Sequence, residues 1–359
     1  MTAETSQGRR PDPAFWAGKR VLLTGHTGFK GAWAAFWLAR MGAKVTGIGL
    51  DPEGETSLFE LAGIANRVDS HIADIRDAAA MARIVEQAAP DLVLHMAAQA
   101  LVRRSLRDPD LTWSSNVTGT GRLLDALRDK APKATVLVVT SDKVYANDNS
   151  GHPFEENDRL GGKDPYSASK AGCELLVQSH RLCYFDPMGT PLATVRGGNV
   201  IGGGDFSEDR LIPDAVRAAV AGDELVLRHP EATRPWQHVL DCLSGYLVFL
   251  EVLHSDADAP RALNIGPDHR VAEATVAEAA DVVLPLLGAA GWRHEVVPGS
   301  VEALALRLNP AMAANTIGWT PVLQGRAALE WTADWYGAWQ QGDDLVALTE
   351  RQIDQFEAL

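Results

Sequence analysis

Two short clusters in the chain carry side chains that can move protons. Tyr166 and Lys170 stand four residues apart in Tyr166-Ser-Ala-Ser-Lys170, a spacing that puts a phenol and an ammonium on one face of a helix. A lysine charge beside a phenol lowers the phenol's pKa, so the pair can take a proton from an alcohol. Upstream, Thr140-Ser141-Asp142-Lys143-Val144-Tyr145 offers a hydroxyl, a carboxyl and an amine on consecutive residues. These can supply an orienting hydrogen bond, an acid and a base; equally, such a run can be a polar strand end with a turn aspartate.

Both clusters need a framework to bring them together. Residues 19–24 form a β-branched and leucine-rich run, followed by a glycine loop, a helical stretch over 32–41 and a second strand over 44–50, which is one βαβ unit. The alternation continues with apolar runs at 91–96 and 135–140 and helix-like segments around Ile84 and over 115–129. Apolar strands alternating with helices predict an α/β fold, a Rossmann-type doubly wound parallel sheet. Thr140 to Tyr145 then falls at the C-terminal end of a strand, where ligands of such sheets react.

The loop Gly25-His26-Thr27-Gly28-Phe29-Lys30-Gly31 places glycines three apart, after the first strand and at the start of a helix. The three glycines serve a tight turn, close approach to a pyrophosphate, and close packing of helix on sheet, with phosphates at the positive helix end. Asp51 lies twenty residues beyond Gly31, placed to bind adenosine ribose hydroxyls, which favours NAD over its phosphorylated form; the rival reading is an exposed turn aspartate before Pro52. Asp74, beside Ile75, fits an adenine contact or a turn. Lys30 fits a solvated charge more readily than a phosphate ligand.

Composition sets the class. The 359 residues, 46% of them hydrophobic, suffice for a large core without metal or disulfide staples. The cysteines Cys173, Cys183 and Cys242 show no metal-ligand spacing and fit a reducing compartment. No stretch approaches the roughly 20 apolar residues of a membrane helix, and residues 1–14 lack the apolar centre of a signal peptide, so we expect a cytoplasmic protein with a disordered leader over 1–14. A net charge of −14 disfavours nucleic acid or an anionic membrane as partner. An anionic ligand must then be held by local donors.

A further strand-like run at 192–195 leads into a glycine-rich loop, and beyond about 201 the alternation gives way to helices at 212–221, 272–287 and 327–340. We expect an NAD-binding domain over 15–200 and a smaller α/β substrate domain over 201–345, with about 235–266 able to pack back on the first.

The motifs above, with His95-Met-Ala97-Ala98-Gln99, Arg196-Gly-Gly-Asn199-Val-Ile-Gly-Gly-Gly-Asp205, Asp209-Arg210-Leu211-Ile-Pro-Asp214, Arg234-Pro-Trp-Gln-His238-Val239, Asn264-Ile-Gly-Pro267 and Ile317-Gly-Trp-Thr-Pro321, resemble the extended short-chain dehydrogenase/reductase family. Within it the pattern is most similar to that of the CDP-glucose 4,6-dehydratases, from about Phe15 to Trp335. The resemblance implies NAD contacts by Gly25, Thr27, Gly28, Phe29, Lys30, Gly31, Asp51, Asp74, Ile75, Ala97, Ala98, Gln99, Thr140, Tyr166 and Lys170. It also implies a closed redox cycle on a nucleotide sugar: Tyr166 deprotonates the hydroxyl on carbon 4, Ser141 orients that oxygen, Lys143 removes the hydrogen on carbon 5, and Asp142 protonates the departing hydroxyl of carbon 6. A basic Lys143 needs burial or a neighbouring cation, since an exposed lysine with a pKa of about 10.4 is charged at neutral pH.

For the substrate's diphosphate the candidates are Arg210 and Arg234, each alternatively a surface ion pair, with Asn199, His238 and Leu211; Arg103 is a weaker one. Trp236 fits base stacking or core. Departures from the family pattern fall at Ala73, Val144, Ala146, Gly197 and Asn309-Pro-Ala-Met312, and bear on nucleobase and sugar rather than on NAD. An epimerase or a dehydratase of another nucleotide sugar remains an alternative, as does a non-catalytic NAD-sensing scaffold, although the chain keeps both Tyr166 and Lys170. Apolar residues on the Tyr166 helix and around 116–127 point to a homodimer through a four-helix bundle.

Overall fold

The computed structural model describes residues 8–54, 56–296 and 306–359. Seven strands form one sheet: β1 (Arg20–Thr24), β2 (Lys44–Gly49), β3 (Asp69–Ile72), β4 (Leu92–His95), β5 (Thr135–Val139), β6 (Leu192–Gly197) and β7 (Ala262–Ile265). Their spatial order is β7-β6-β5-β4-β1-β2-β3, and each neighbouring pair is parallel. Every residue of β4 and β5 is buried, as strands covered on both faces require. Alternation along β1 divides the core: Val21 and Leu23 face one hydrophobic layer and Leu22 the other.

The first layer is covered by α1 (Phe29–Arg40), and the second by α2 (Ala78–Ala88), α3 (Thr120–Lys130) and α4 (Pro165–His180). The chain then continues through α5 (Leu211–Ala221) and returns through α6 (Val239–Ser255) to β7. Every residue of α6 from Val239 to Leu253 is buried, which suits a helix enclosed by the core on all sides. Chain order reverses between β1 and β4, so the crevice above their C-terminal ends is the switch point where ligands of such sheets bind. No helix among the described residues is long and apolar enough to cross a membrane.

Two expectations about local structure are corrected. The helix expected over 272–287 is Val276–Leu286, preceded by a strand at Glu273–Thr275 that pairs with Thr233–Pro235. Thr275 and Glu278 form a reciprocal capping box that sets the start of this helix. The leader is not loose over 8–14. Arg9 N donates to Gly318 O at 2.8 Å, and buried Glu251 accepts from Asp12 N at 2.7 Å, Trp16 Nε1 at 2.8 Å and Arg9 Nη2 at 3.0 Å. A buried carboxylate requires such donors. Residues 1–7 of the expected leader lie outside the described residues.

Beneath the C-terminal ends of β5 and β6 lies a buried polar network. Glu174 of α4 accepts from Arg196 Nε at 3.0 Å and Nη2 at 2.9 Å, and from the hydroxyls of Thr140 at 2.5 Å and Thr194 at 2.8 Å. Arg196 Nη1 donates to Tyr145 Oη at 2.7 Å and Glu156 O at 2.8 Å, and Tyr145 Oη donates to Asn264 Oδ1 at 2.7 Å. Burial opposes the charge on Arg196, but the hydrogen bonds and charge of Glu174 outweigh it and hold the guanidinium above its ordinary pKa. Tyr166, Lys170 and Glu174 follow at intervals of four and share a face, so anchoring Glu174 sets the rotation of α4. Arg196→Met, which strands the carboxylate, is expected to lower the unfolding free energy by about 3–5 kcal/mol in urea titration, while adding Glu174→Met restores most of it. Equal losses in the two variants would contradict this role.

Candidate active site

The glycine turn is built as a cradle. Gly25 adopts φ +80°, and a Cβ there would stand 2.9 Å from Ala97 N; one at Gly31 would stand 1.8 Å from Gly25 O, so no side chain fits at either position. At Gly28 the nearest atom to such a Cβ is 3.4 Å away and the residue is exposed. Gly28 also begins α1, whose first amides no side chain caps. Exposed amides and a positive helix end at an open glycine fit a pyrophosphate.

Around the turn, the expected cofactor residues divide. Asp51 is exposed beyond β2, whereas Asp74 grips Arg76 through both carboxylate oxygens at 2.6 to 3.1 Å, and those bonds hold its pKa below the usual range. Asp74 thereby closes a turn onto Arg76. Ile75 buries its side chain against Gly119. Thr27 lies over Gly49. The Ala97 amide donates to Thr24 Oγ1 at 3.1 Å, which sets half-buried Ala97 against Gly25, with half-buried Ala98 following it. Two of the expected residues spend side-chain polar atoms inside the fold. Gln99 bonds Leu101 and Thr112, and Thr140 Oγ1 bonds Glu174. Asn116, absent from the expected set, joins Gln99 to Ser169 of α4 through its amide; no motif in the sequence marks it.

The proton-moving clusters do meet. Asp164 caps α4 by accepting from Ser167 N at 2.9 Å, and Pro165 opens the first turn, which puts Tyr166 at the helix start facing β5. The Tyr166 phenol lies beside Ser141 and within the field of Asp142. Ser141 Oγ donates to Asp142 Oδ1 at 3.0 Å, and Lys143 Nζ lies 3.7 Å from the same oxygen. One electrostatic expectation fails: burial pushes Tyr166 up to about 12, although Ser141 opposes it. Lys170 does not reverse this, because its Nζ donates to Val139 O at 3.1 Å and its own pKa is lowered by burial, with Cys173 opposing and Lys30 adding. Nor does Lys143 meet the condition set for a base. Its side chain is 29% exposed, and its close neighbour is an anion.

Lys30, expected to point into solvent, turns inward. Its Nζ stands 5.8 Å from the Tyr246 ring centroid, and burial lowers its pKa while Cys242, Arg210, Asp142 and Asp205 act on it. The same Tyr246 explains Gly197, where a Cβ would come 2.0 Å from Tyr246 Oη and 3.6 Å from Cys242 Sγ.

On the substrate side, Arg210 places its Nε 3.7 Å from Asp205 Oδ2, and the residue stands at the N-terminus of α5, directly before Leu211, where no side-chain cap is made. Asn199 is half-buried on the loop after β6. Arg234 sits on the strand Thr233–Pro235 and donates to Thr233 O at 2.7 Å. Beside α5, a cavity of about 310 Å³ is lined by Arg103, Asp214, Arg217, Leu225, Val226 and Arg228, among others. Trp236 belongs to the core at 5% exposure. His238 is fully buried, caps α6 by accepting from Leu240 N, and rests edge-on against Trp33 and Trp331.

His95 is buried too, bonded to Thr24 Oγ1 at 2.6 Å and Thr120 Oγ1 at 2.9 Å. Burial lowers both histidines to about 3, with the charge of Lys170 adding at His95. Unfolded imidazoles titrate near 6.5, so between about pH 3 and 6.5 the unfolded chain binds more protons, and the stability present above that window is lost as pH falls through it. Unfolding free energy is expected to drop from pH 7 to pH 4 more steeply in the wild type than in a His95→Gln, His238→Gln double variant. Parallel pH profiles would show that neither imidazole is held neutral.

Comparison with known proteins bears on this geometry. Residues 21–266 match the model of the NAD dependent epimerase/dehydratase family. The chain is 40% identical over 352 residues to the CDP-glucose 4,6-dehydratase of Salmonella typhimurium, covering 96% of this chain and 98% of that one. Among solved structures it resembles a dTDP-glucose 4,6-dehydratase double mutant from Streptomyces venezuelae with NAD bound, at TM-score 0.77 and 25% identity over 91% of this chain and 99% of the other. It also resembles UDP-glucose 4-epimerase from Brucella ovis in complex with NAD, at TM-score 0.76 and 26% identity over 88% and 98%.

Proposed function

The chain belongs to the NAD dependent epimerase/dehydratase family, and from that premise we propose that it is a nucleotide-sugar 4,6-dehydratase that converts CDP-glucose to CDP-4-keto-6-deoxyglucose. The observation that carries this reading is the meeting of Tyr166 and Ser141 with the Asp142–Lys143 pair directly behind them. An epimerase needs only the first half of that set.

NAD is the cofactor, and the uncapped start of α1 at Phe29 and Lys30, with the close turn at Gly25 and Gly31, fits its pyrophosphate. When bound there, it would supply the hydride chemistry of the cycle, oxidation at carbon 4 of the hexose and reduction at carbon 6. The chain's own residues handle the protons. Tyr166 withdraws the proton of the carbon 4 hydroxyl while Ser141 holds that oxygen, and Lys170 supports the cofactor ribose from its place behind Tyr166. Asp142 delivers a proton to the departing carbon 6 hydroxyl, and Lys143 takes one from carbon 5.

The ion pair reconciles Lys143 with that role. A carboxylate and an ammonium 3.7 Å apart become a carboxylic acid and an amine when one proton crosses between them, which leaves Asp142 able to donate and Lys143 able to accept. That neutral form is the acid and base the elimination needs, and the elimination itself restores the ion pair. On the phosphate side, Arg210, the Leu211 amide, Asn199 and Arg234 hold the diphosphate, in the lobe formed by about 201–345.

Incubation with CDP-glucose, dTDP-glucose, UDP-GlcNAc and GDP-mannose, followed by alkali, is expected to develop the absorbance of a 4-keto-6-deoxy sugar with CDP-glucose first. Tyr166→Phe should lower turnover by about 10²–10⁴-fold and abolish carbon 4 oxidation. Lys143→Met should retain oxidation but lose exchange of solvent deuterium at carbon 5. A Lys143→Met enzyme with normal exchange would remove Lys143 from the mechanism.

Assembly follows from one face. Trp113, Leu175 and Leu182 remain 42%, 59% and 55% exposed on and beside α4, and pairing them across a twofold axis makes a homodimer. Light scattering is expected to give a dimer mass, and Leu175→Lys a monomer; a monomeric wild type at micromolar concentration would exclude this face.

A further inference from the structure

We propose that Asp209 is an internal stand-in for a substrate phosphate, exchanged for it when the nucleotide sugar binds; this rests on the nucleotide-sugar reading above. Arg103 Nη1 and Arg228 Nη1 each lie 2.9 Å from the same oxygen, Asp209 Oδ1. Arg103 comes from the helix Val102–Arg107 that follows β4, and Arg228 follows the strand Leu225–Leu227. The aspartate therefore bridges two distant stretches of the chain, one residue before Arg210 and two before the uncapped start of α5.

Three features mark this contact as exchangeable. Two guanidiniums share one carboxylate oxygen, and each is matched better by the paired oxygens of a phosphate than by a shared single atom. The three side chains keep 39%, 25% and 25% exposure for Arg103, Asp209 and Arg228, so solvent and an incoming anion reach them, and each pair is weak by itself. Asp209 is held at φ +60°, a left-handed conformation that is disfavoured in a residue with a side chain. Releasing the carboxylate relieves the constraint that holds it there.

Space for the replacement lies alongside. Arg103 and Arg228 both line the cavity of about 310 Å³ beside α5. Burial raises the Asp209 carboxyl, but the Arg228 bond and the charges of both arginines outweigh it and keep it ionised. The next residue upstream, Glu208, pairs with Arg107 of the same helix. The loop is thus tied to that helix while the arginines wait on Asp209. In an acidic protein, two arginines left without an anion would draw in any anion from solution; Asp209 keeps them paired until a better one arrives.

The test is titration calorimetry with CDP and with inorganic pyrophosphate, beside steady-state kinetics on CDP-glucose. Asp209→Asn preserves the tolerance for a left-handed backbone and removes the competing charge. It is expected to tighten both ligands by about threefold or more and to lower KM. Arg103→Met is expected to weaken both by about tenfold and to raise KM, the effect falling on KM rather than kcat. A merely structural aspartate predicts the reverse sign for Asp209→Asn, and weaker or unchanged binding of pyrophosphate by that variant overturns the proposal. If Asp209→Asn tightens pyrophosphate but no nucleotide sugar is turned over, the exchange stands and the dehydratase reading falls. If CDP-glucose is turned over but Asp209→Asn tightens nothing, the exchange falls and the dehydratase stands.

Discussion

The buried pair of Glu174 and Arg196 is the constraint on which the site depends. Two charged side chains, each about 5% exposed, persist in a core only when their remaining donors and acceptors are satisfied. Here that condition recruits Thr140, Thr194, Tyr145 and, through Tyr145, Asn264. Four stretches of the chain are thereby pinned together: α4, the end of β5 with the loop after it, β6, and β7. Ser141 to Lys143 follow directly from Thr140, and Lys170 precedes Glu174 by one helical turn. The network therefore sets where the two proton-moving clusters stand relative to each other.

Charge is distributed against the average of the molecule. The chain carries a net −14, yet Lys30, Lys170, Lys143 and Arg210 are gathered around the crevice above β1 and β4, with Arg103 and Arg228 at its side. Desolvation lowers Lys30 and Lys170, so their cationic forms gain most when an anionic ligand arrives. A dinucleotide and a nucleotide sugar both bring diphosphates. An acidic exterior that repels polymeric anions, with a cationic interior that accepts small ones, suits those two ligands.

Much of this was legible in the chain before any coordinates. The strands over 19–24, 44–50, 91–96, 135–140 and 192–195 were readable because runs of Val, Leu and Ile buried on both faces leave a plain signal. Tyr166, Lys170 and the Ser141 to Lys143 run were readable because spacing of four and position at a strand end are local properties. What stayed hidden is long-range. Glu174 with Arg196, Asn116 with Gln99 and Ser169, and Lys30 with Tyr246 are partners across 22, 53 and more residues, and nothing in either local sequence names the other. The same limit hid the surroundings of His238, which caps the start of a buried helix. It also misjudged the phenol of Tyr166, since its pKa depends on what buries it rather than on a lysine four residues away.

One site, in this mechanism, removes hydride from carbon 4, eliminates water across carbons 5 and 6, and returns the same hydride to carbon 6. Turnover of CDP-glucose carrying deuterium at carbon 4, followed by mass and NMR analysis of the product, tests that cycle most directly. The expected product carries the deuterium in the carbon 6 methyl of the same molecule, with a solvent hydrogen at carbon 5 and no reduced cofactor released. Deuterium retained at carbon 4 of an epimerised sugar, or lost to free reduced cofactor, would contradict it.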